Sequence, residues 1–375
     1  MTRSFRFAVF VAATLVGVSG MPACATADEI DDLVEAERAR QQIPGLALLV
    51  VQDGKTVKAQ GYGLANVEHN VPVTAETIFQ SGSMGKQFTA TAVMMLVEEG
   101  KLSLEDPLRK HLPDAPDSWQ GVTVRHLLSH TAGLGDYPLA FNFRRDYSED
   151  ALRAVIYETR LHFAPGEGWR YSNLGYMTLG MLIRGVTGEF YGDFLRQRIF
   201  APLQMNTARV ISEADIVPHR AAGYRLAQGE LKNQEWVSPT LNTTADGSLY
   251  LSILDLAAWD AGLRGEQLLK RASLEQMWTP ALLKSGEPNS AGYGFGWMCR
   301  EENGHRLVEH GGAWQGFTTQ IARYRDDGLT VAVLTNLSAE SGTNPGKIVH
   351  PVARFYIPRI QGLDDSAGER GKKEE

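Results

Sequence analysis

Between Pro44 and Gly61 two β-rich runs flank a turn: Leu46-Ala47-Leu48-Leu49-Val50-Val51, then Asp53-Gly54, then Thr56 to Gly61. This pattern predicts a hairpin, because Asp-Gly accepts the positive φ that tight hairpin turns need. Upstream, Ile30 to Gln42 places apolar residues at helical spacing and predicts an amphipathic helix ended by Pro44-Gly45. Downstream, Gln87 to Gly100 is apolar on almost every face and predicts a helix buried on most sides, with Gly100 closing it.

From Lys101 to about Glu287 the periodicity becomes helical. Val122 to His130, Glu149 to Thr159, Leu174 to Val186, Tyr191 to Ile199, Asp255 to Leu263 and Ser273 to Leu282 all read as helices. Strand patterns return at Tyr293 to Arg300 and His305 to Glu309, joined by Glu302-Asn303-Gly304. Phe317 to Tyr324 and Leu329 to Thr335 form a further hairpin about Asp326-Asp327-Gly328. Lys347 to Tyr356 predicts a last helix, with Pro351 near its start or kinking it.

Antiparallel hairpins at both ends with helices between predict an α+β fold. The sheet domain is discontinuous, 28-100 and 288-360, and a mostly helical domain, 101-287, is inserted in it. The first and last helices are expected to cover the sheet. Residues 361-375, rich in glycine and charge, are expected to be a disordered tail.

Composition narrows the function classes. The 375 residues are 43% hydrophobic and 22% charged, ordinary for a globular chain with a large core. A net charge of −7 with no basic cluster argues against nucleic acid as a partner. The basic start Met1 to Arg6, the apolar run Phe7 to Val18 and the small residues ending in Ala25-Thr26-Ala27 have the order of a secretory signal at 1-27. Export to the periplasm or outside the cell follows, with cleavage near Ala27 and no transmembrane span in the mature chain. Met21-Pro22-Ala23-Cys24 fits a lipoprotein box poorly, so lipidation at Cys24 is the lesser reading. Cys299 then stands alone, without a disulfide framework, and reads as an inert buried thiol.

Three short motifs carry candidate chemistry. Ser83-Met84-Gly85-Lys86 is the only Ser-x-x-Lys, at the start of the buried helix. Spacing of three puts the lysine amine on the serine's side, and a helix start offers unpaired N–H groups to a developing oxyanion. Tyr171-Ser172-Asn173 lies between a turn-rich loop and a helix, where side chains can reach a cleft; an Asn N-cap beside a core tyrosine would satisfy the same spacing. His310-Gly311-Gly312 follows a strand pattern, and its glycines either let a backbone pass close to a ligand or simply form a turn.

In this order the three motifs resemble the Ser-x-x-Lys, Tyr-x-Asn and (Lys/His)-x-Gly boxes of the class C β-lactamase type of penicillin-recognising serine hydrolases. Thr123 to Leu134, Phe163-Ala164-Pro165-Gly166 and Asp246 to Tyr250 are similar to that family's flanking stretches, so the resemblance runs from about Ile43 to Asn336. It implies a β-lactamase/transpeptidase-like fold and an acyl-enzyme. Ser83 would be the nucleophile, with Lys86 and Tyr171 sharing the acid and base work; which of the two is the base stays open. Asn173 would bond the substrate amide or the lysine. His310, with Gly312, would hold the third-box strand and a substrate carboxylate, and Ala313 would lend its N–H, with that of Ser83, to the oxyanion hole.

The third box departs from the Lys-Thr-Gly usual in β-lactamases of this class. Losing the lysine charge and the threonine hydroxyl removes the strongest contacts to a β-lactam carboxylate. The expected activity is therefore hydrolysis of amides or esters, such as D-amino-acid peptides related to cell wall or small acyl esters. A β-lactamase, or a non-catalytic penicillin-binding module, is the alternative. No metal or organic cofactor is implied. His126 and His130 stand four apart, but without His-Glu-x-x-His they read as helix packing rather than zinc ligands. An α/β-hydrolase elbow, Gly-x-Ser-x-Gly, is absent at Ser83, and oligomeric state is not legible.

Overall fold

Both ends of the described chain contribute strands to one antiparallel sheet. The computed structural model describes residues 29–357 apart from 211–213, 248 and 303; the leader at 1–27, Cys24 and the tail at 361–375 lie outside the described residues. In chain order come α1 (Glu29–Arg40), β1 (Gly45–Gln52), β2 (Lys55–Asn66), β3 (Val71–Pro72), β4 (Phe79–Gln80) and α2 (Lys86–Glu98). Then follow α3 (Val124–Leu128), α4 (Glu149–Tyr157), α5 (Asn173–Thr187), α6 (Tyr191–Leu195), β5 (Tyr224–Ala227), β6 (Glu230–Asn233) and β7 (Tyr250–Leu251). The chain closes with α7 (Ile253–Arg264), α8 (Arg271–Met277), β8 (Met298–Glu302), β9 (His305–Trp314), β10 (Phe317–Tyr324), β11 (Leu329–Thr335) and α9 (Gly346–Tyr356).

The main sheet has seven strands in the order β3-β2-β1-β11-β10-β9-β8. Its centre joins β1 to β11, with Leu46 opposite Thr335 and Gln52 opposite Leu329. Side chains alternate between faces, and that splits the core in two. Leu46, Leu48 and Val50 meet Val331 and Val333 under Val34 of α1 and Ile348, Val349 and Val352 of α9. Ala47, Leu49 and Val51 face the other way, with Ala332 and Leu334, into the larger core around α2. With both faces covered, β1 reads as a continuous apolar run rather than an alternation. The architecture is α+β, as the sequence pattern predicts.

α2 is buried from Lys86 to Leu96. Each fully buried large side chain there, such as Phe88, adds about 1.5–3 kcal/mol of apolar burial, which fixes the helix as a rigid platform. Gly100 takes a left-handed φ of +70° just beyond its end.

Several elements differ from the sequence expectation, for local reasons. The strand predicted at Tyr293 to Arg300 begins only at Met298 and runs on to Glu302. The preceding Gly296 nests against α2, where a Cβ would come 2.9 Å from the Gln87 Cα. His310-Gly311-Gly312 lies inside β9, not in a turn. The stretch read as mostly helical also holds the hairpin of β5 with β6, and β7, which pairs with β4 from the earlier segment. α8 stops at Met277, ahead of Pro280, because a residue preceding proline is pushed out of the helical region. Pro351 stands in the interior of α9.

Candidate active site

Ser83 sits in a single 3₁₀ turn, Gly82–Gly85, that runs directly into α2. Side chains three apart eclipse in such a turn, so Ser83 and Lys86 share one side. Two neighbouring segments grip it. Ser81 N donates to Leu249 O at 2.8 Å and Ser81 Oγ to Gly247 O at 2.8 Å. Thr319 Oγ of β10 donates to Ser81 O at 2.7 Å. Two glycines make the fit possible. Gly82 has φ +54°, and a Cβ there would meet Ala313 N at 2.6 Å; one on Gly312 would meet Ser81 O at 1.9 Å. β9 therefore presses its backbone against the Ser83 turn.

Lys86 is fully buried. Its Nζ donates to Ser83 Oγ at 3.0 Å, Asn173 Oδ1 at 2.6 Å and the backbone carbonyl of Asp246 at 2.5 Å. Three acceptors match the three protons of an ammonium. Burial nevertheless lowers the amine to about 8, against the opposing pull of the Asp246 and Asp136 carboxylates. Lys86 can therefore exchange a proton with Ser83 near neutral pH.

α5 brings the second motif. Ser172, not Asn173, is the N-cap: its Oγ accepts from Gly175 N at 3.0 Å and donates to Gly135 O at 2.6 Å. That leaves the Asn173 amide free to bridge Lys86 and Asp136, donating to Asp136 Oδ2 at 2.9 Å. The Tyr171 phenol hydrogen-bonds Ser83, while burial raises it well above its ordinary value. Its ring packs 4.3 Å from that of His130. Burial holds His130 well below the usual histidine range, and its neutral Nδ1 accepts from Ser172 N at 3.1 Å. His126 instead caps α3, accepting from Thr123 N at 3.2 Å. Both histidines thus serve packing and capping.

The third motif lies on β9, where its histidine is turned to protein partners. His310 is 2% exposed, and both ring nitrogens are engaged, Nδ1 with Gly311 O at 2.6 Å and Nε2 with the Tyr293 hydroxyl at 2.9 Å. Burial, with the Lys86 charge, lowers it to about 3. It is a neutral strand anchor, with no positive charge to offer a substrate carboxylate. Of the flanking aromatics, Phe317 is buried against Phe79, whereas Trp314 is half-exposed and stands 6.5 Å from Phe143.

Two carboxylates escaped the sequence reading. Asp136 and Asp246 act on Lys86 and are tied to one another by Tyr137, whose N–H donates to Asp136 Oδ1 at 2.9 Å and whose hydroxyl donates to Asp246 Oδ2 at 3.2 Å. Burial raises the Asp136 carboxyl above its ordinary value. Asp246 stands in a stretch similar to the family's flanks, which gives it no role, and Gly135-Asp136 points to a turn rather than to a site.

The site lies within a recognised family domain: the Beta-lactamase family model matches residues 30–348. The chain belongs to the beta-lactamase family. Penicillin-binding protein 4* of Bacillus subtilis (strain 168) is 32% identical over 326 residues, covering 82% of this chain and 71% of that protein. The octameric penicillin-binding protein homologue from Pyrococcus abyssi superposes with a TM-score of 0.77 at 32% identity, covering 88% and 77% of the two chains. A D-stereospecific amidohydrolase from Streptomyces sp. superposes with a TM-score of 0.71 at 26% identity, covering 86% and 96%. Penicillin-binding proteins and amide hydrolases thus both stand among the beta-lactamase-family relatives of this chain.

Proposed function

We propose that this protein is a serine hydrolase that cleaves amide or ester acyl donors through an acyl-enzyme at Ser83. The observation that carries the reading is the Lys86 amine, 3.0 Å from Ser83 Oγ and lowered to about 8, with Tyr171 bonded to the same hydroxyl. Lys86 rather than Tyr171 is the resting base, because its neutral form is accessible near pH 7 and the phenolate is not. Ser83 Oγ attacks the acyl carbon and its proton passes to Lys86. The carbonyl oxygen becomes an oxyanion facing the backbone N–H groups of Ser83 and Ala313. The amine or alcohol leaves with a proton relayed through Tyr171, and water then adds to the ester and releases the acid. Gly312 allows β9 its close approach, and Asn173 holds Lys86 in place.

The likeness to an amidohydrolase supports amides of D-amino acids as acyl donors. β-Lactams are less favoured, since neutral His310 supplies no counter-charge for their carboxylate. Intact-mass measurement during turnover of a nitrophenyl ester and of D-phenylalaninamide tests the reading. An acyl adduct on the Ser83 peptide is expected, and turnover by a Ser83→Ala protein would sink it. We also propose export with cleavage after Ala27; a secreted protein beginning elsewhere than Asp28 would overturn that.

A further inference from the structure

A cavity of about 330 Å³ opens between α4, α5 and the segment from Thr240 to Ala245, with neither Ser83 nor Lys86 in its lining. That is room for a two-ring molecule, at the small end of ordinary ligand sites. Its walls are apolar: Met177 and Met181 of α5, Leu152 of α4, and the rings of Tyr147, Phe190 and Tyr191. Thioethers pack well on aromatic rings and shift to fit them, so a flat aromatic body suits these walls. At the exposed end Arg184 Nε pairs with Glu149 Oε2 at 2.9 Å. The two charges cancel, so an ionic head gains little there. A hydroxyl or amide head can accept from the guanidinium and donate to the carboxylate.

The inner wall of this cavity leads to the catalytic lysine. Gly180 lets Ala245 close on α5, since a Cβ at Gly180 would meet the Ala245 Cβ at 2.5 Å. The Tyr191 hydroxyl donates to Thr244 O at 2.6 Å, and Ala245 O accepts from Thr89 Oγ of α2 at 2.7 Å. One residue on, the Asp246 carbonyl accepts from Lys86 Nζ. The facing wall reaches the same residue. Tyr147 stacks on Phe141 at 4.9 Å, and Phe141 packs on Tyr137, whose hydroxyl donates to the Asp246 carboxylate. A body seated between Tyr147 and Ala245 therefore braces both approaches to Asp246. We propose that this cavity binds a neutral aromatic alcohol or amide, which activates the enzyme by favouring the arrangement that holds the Asp246 carbonyl against Lys86. The effect on rate rests on the acyl-enzyme reading of Ser83; the binding does not.

The probe is 2-naphthol, uncharged at pH 7, with 2-naphthoate as its anionic counterpart. Calorimetry on the full chain carrying Ser83→Ala reads binding without turnover. Naphthol is expected to bind with a Kd of about 100 µM. Naphthoate should bind about tenfold weaker, because it sheds hydration for a site of no net charge. Thr243→Trp at the partly exposed rim should weaken naphthol about tenfold by filling the cavity, and Leu152→Trp should do so from the α4 wall. In the unsubstituted enzyme, saturating naphthol should raise the single-turnover acylation rate with a nitrophenyl ester about twofold, and Thr243→Trp should abolish that gain. Absence of binding, equal binding of the two probes, or binding unmoved by both substitutions overturns the site. Binding that leaves acylation unmoved or slower, or a gain that persists in Thr243→Trp, overturns the activation. Absence of a Ser83 adduct would instead remove the acyl-enzyme reading, while calorimetry still decides the cavity.

Discussion

The molecule buries ionisable groups in two places and treats them in opposite ways. Behind the sheet, Asp260 of α7 is fully buried, yet Oδ1 accepts from Arg323 Nε at 2.9 Å and Thr330 Oγ at 2.6 Å, and Oδ2 accepts from Arg264 Nε at 2.6 Å. Burial alone would raise this carboxyl, but the two guanidinium groups and the hydroxyl hold it below its ordinary value. Arg323 in turn lies 5.2 Å from the Trp278 ring. At Lys86 the balance falls the other way. Burial outweighs two neighbouring carboxylates, the amine is lowered to about 8, and Asp136 is raised. The first cluster spends its charges on each other and is inert; the second leaves a proton movable near pH 7.

The sharpest break of that comparison is to delete one charge from each cluster. Lys86→Met is expected to cut the acylation rate by about 10⁴-fold, measured as nitrophenol release under single turnover, while circular dichroism stays native. Were the site only a structural ion cluster, the loss would appear in stability and leave the chemistry nearly intact. Asp260→Ala should show the reverse. Leaving Arg323 buried and unpaired costs about 3–5 kcal/mol in denaturant unfolding. The alkaline limb of the rate profile should stay at its wild-type position in the folded fraction.

pH sharpens the contrast without mutating the cluster. The folded Lys86 amine titrates at about 8, below the ordinary 10.5. Between those two values the unfolded chain binds the extra proton, so Lys86 makes stability rise with pH there, by about 3 kcal/mol in all. Comparing wild type with Lys86→Met from pH 7.5 to 10.5 should isolate that slope, and equal slopes would contradict the lowered amine. At the acid end His310 acts with the same sign, in a lower window of pH. It is lowered to about 3, so the unfolded state takes up a proton first as pH falls below 6.5, and stability is lost towards pH 3. A His310→Gln protein should lose less between pH 6.5 and 4 than wild type. Acylation itself should rise with pH, reach half its limit near 8 and level off above it, as Lys86 loses its proton.

How much of this was legible follows from what is local. The Ser83 to Lys86 spacing, the buried face of α2 and the three hairpin turns are short-range patterns, and each reappears in the fold with shifts of a few residues. His310-Gly311-Gly312 left strand and turn both open, because glycine is poor strand material. It is in β9 for a long-range reason, the Ser81 carbonyl standing where a Gly312 side chain would be. The carboxylates were illegible for the same kind of reason. Asp136 and Asp246 meet only because Tyr137 and Asn173 bridge segments far apart in the chain. Nor could the charge of His310 be read, since burial rather than identity makes it neutral. Periodicity finds elements and spacing finds a nucleophile; net charge at a site needs the packing.

Ser172 joins the legible part to the illegible part, which makes it the smallest but most discriminating test. Its Oγ caps α5 through Gly175 N and anchors the Gly135 carbonyl, one residue before Asp136. Ser172→Ala removes both bonds, and a lost N-cap costs about 1 kcal/mol of stability. A cap alone would do no more. Here the same change frees the segment carrying Asp136 and Tyr137 from the segment carrying Tyr171 and Asn173. Asn173 and Asp136, which share a hydrogen bond beside Lys86, then lose their common mooring. Acylation of Ser83 should therefore fall several-fold in kcat/KM in the folded protein, because Lys86 is less well held against Ser83. An unchanged kcat/KM would mean that Ser172 only stabilises the helix, and that the two halves of the site are positioned independently.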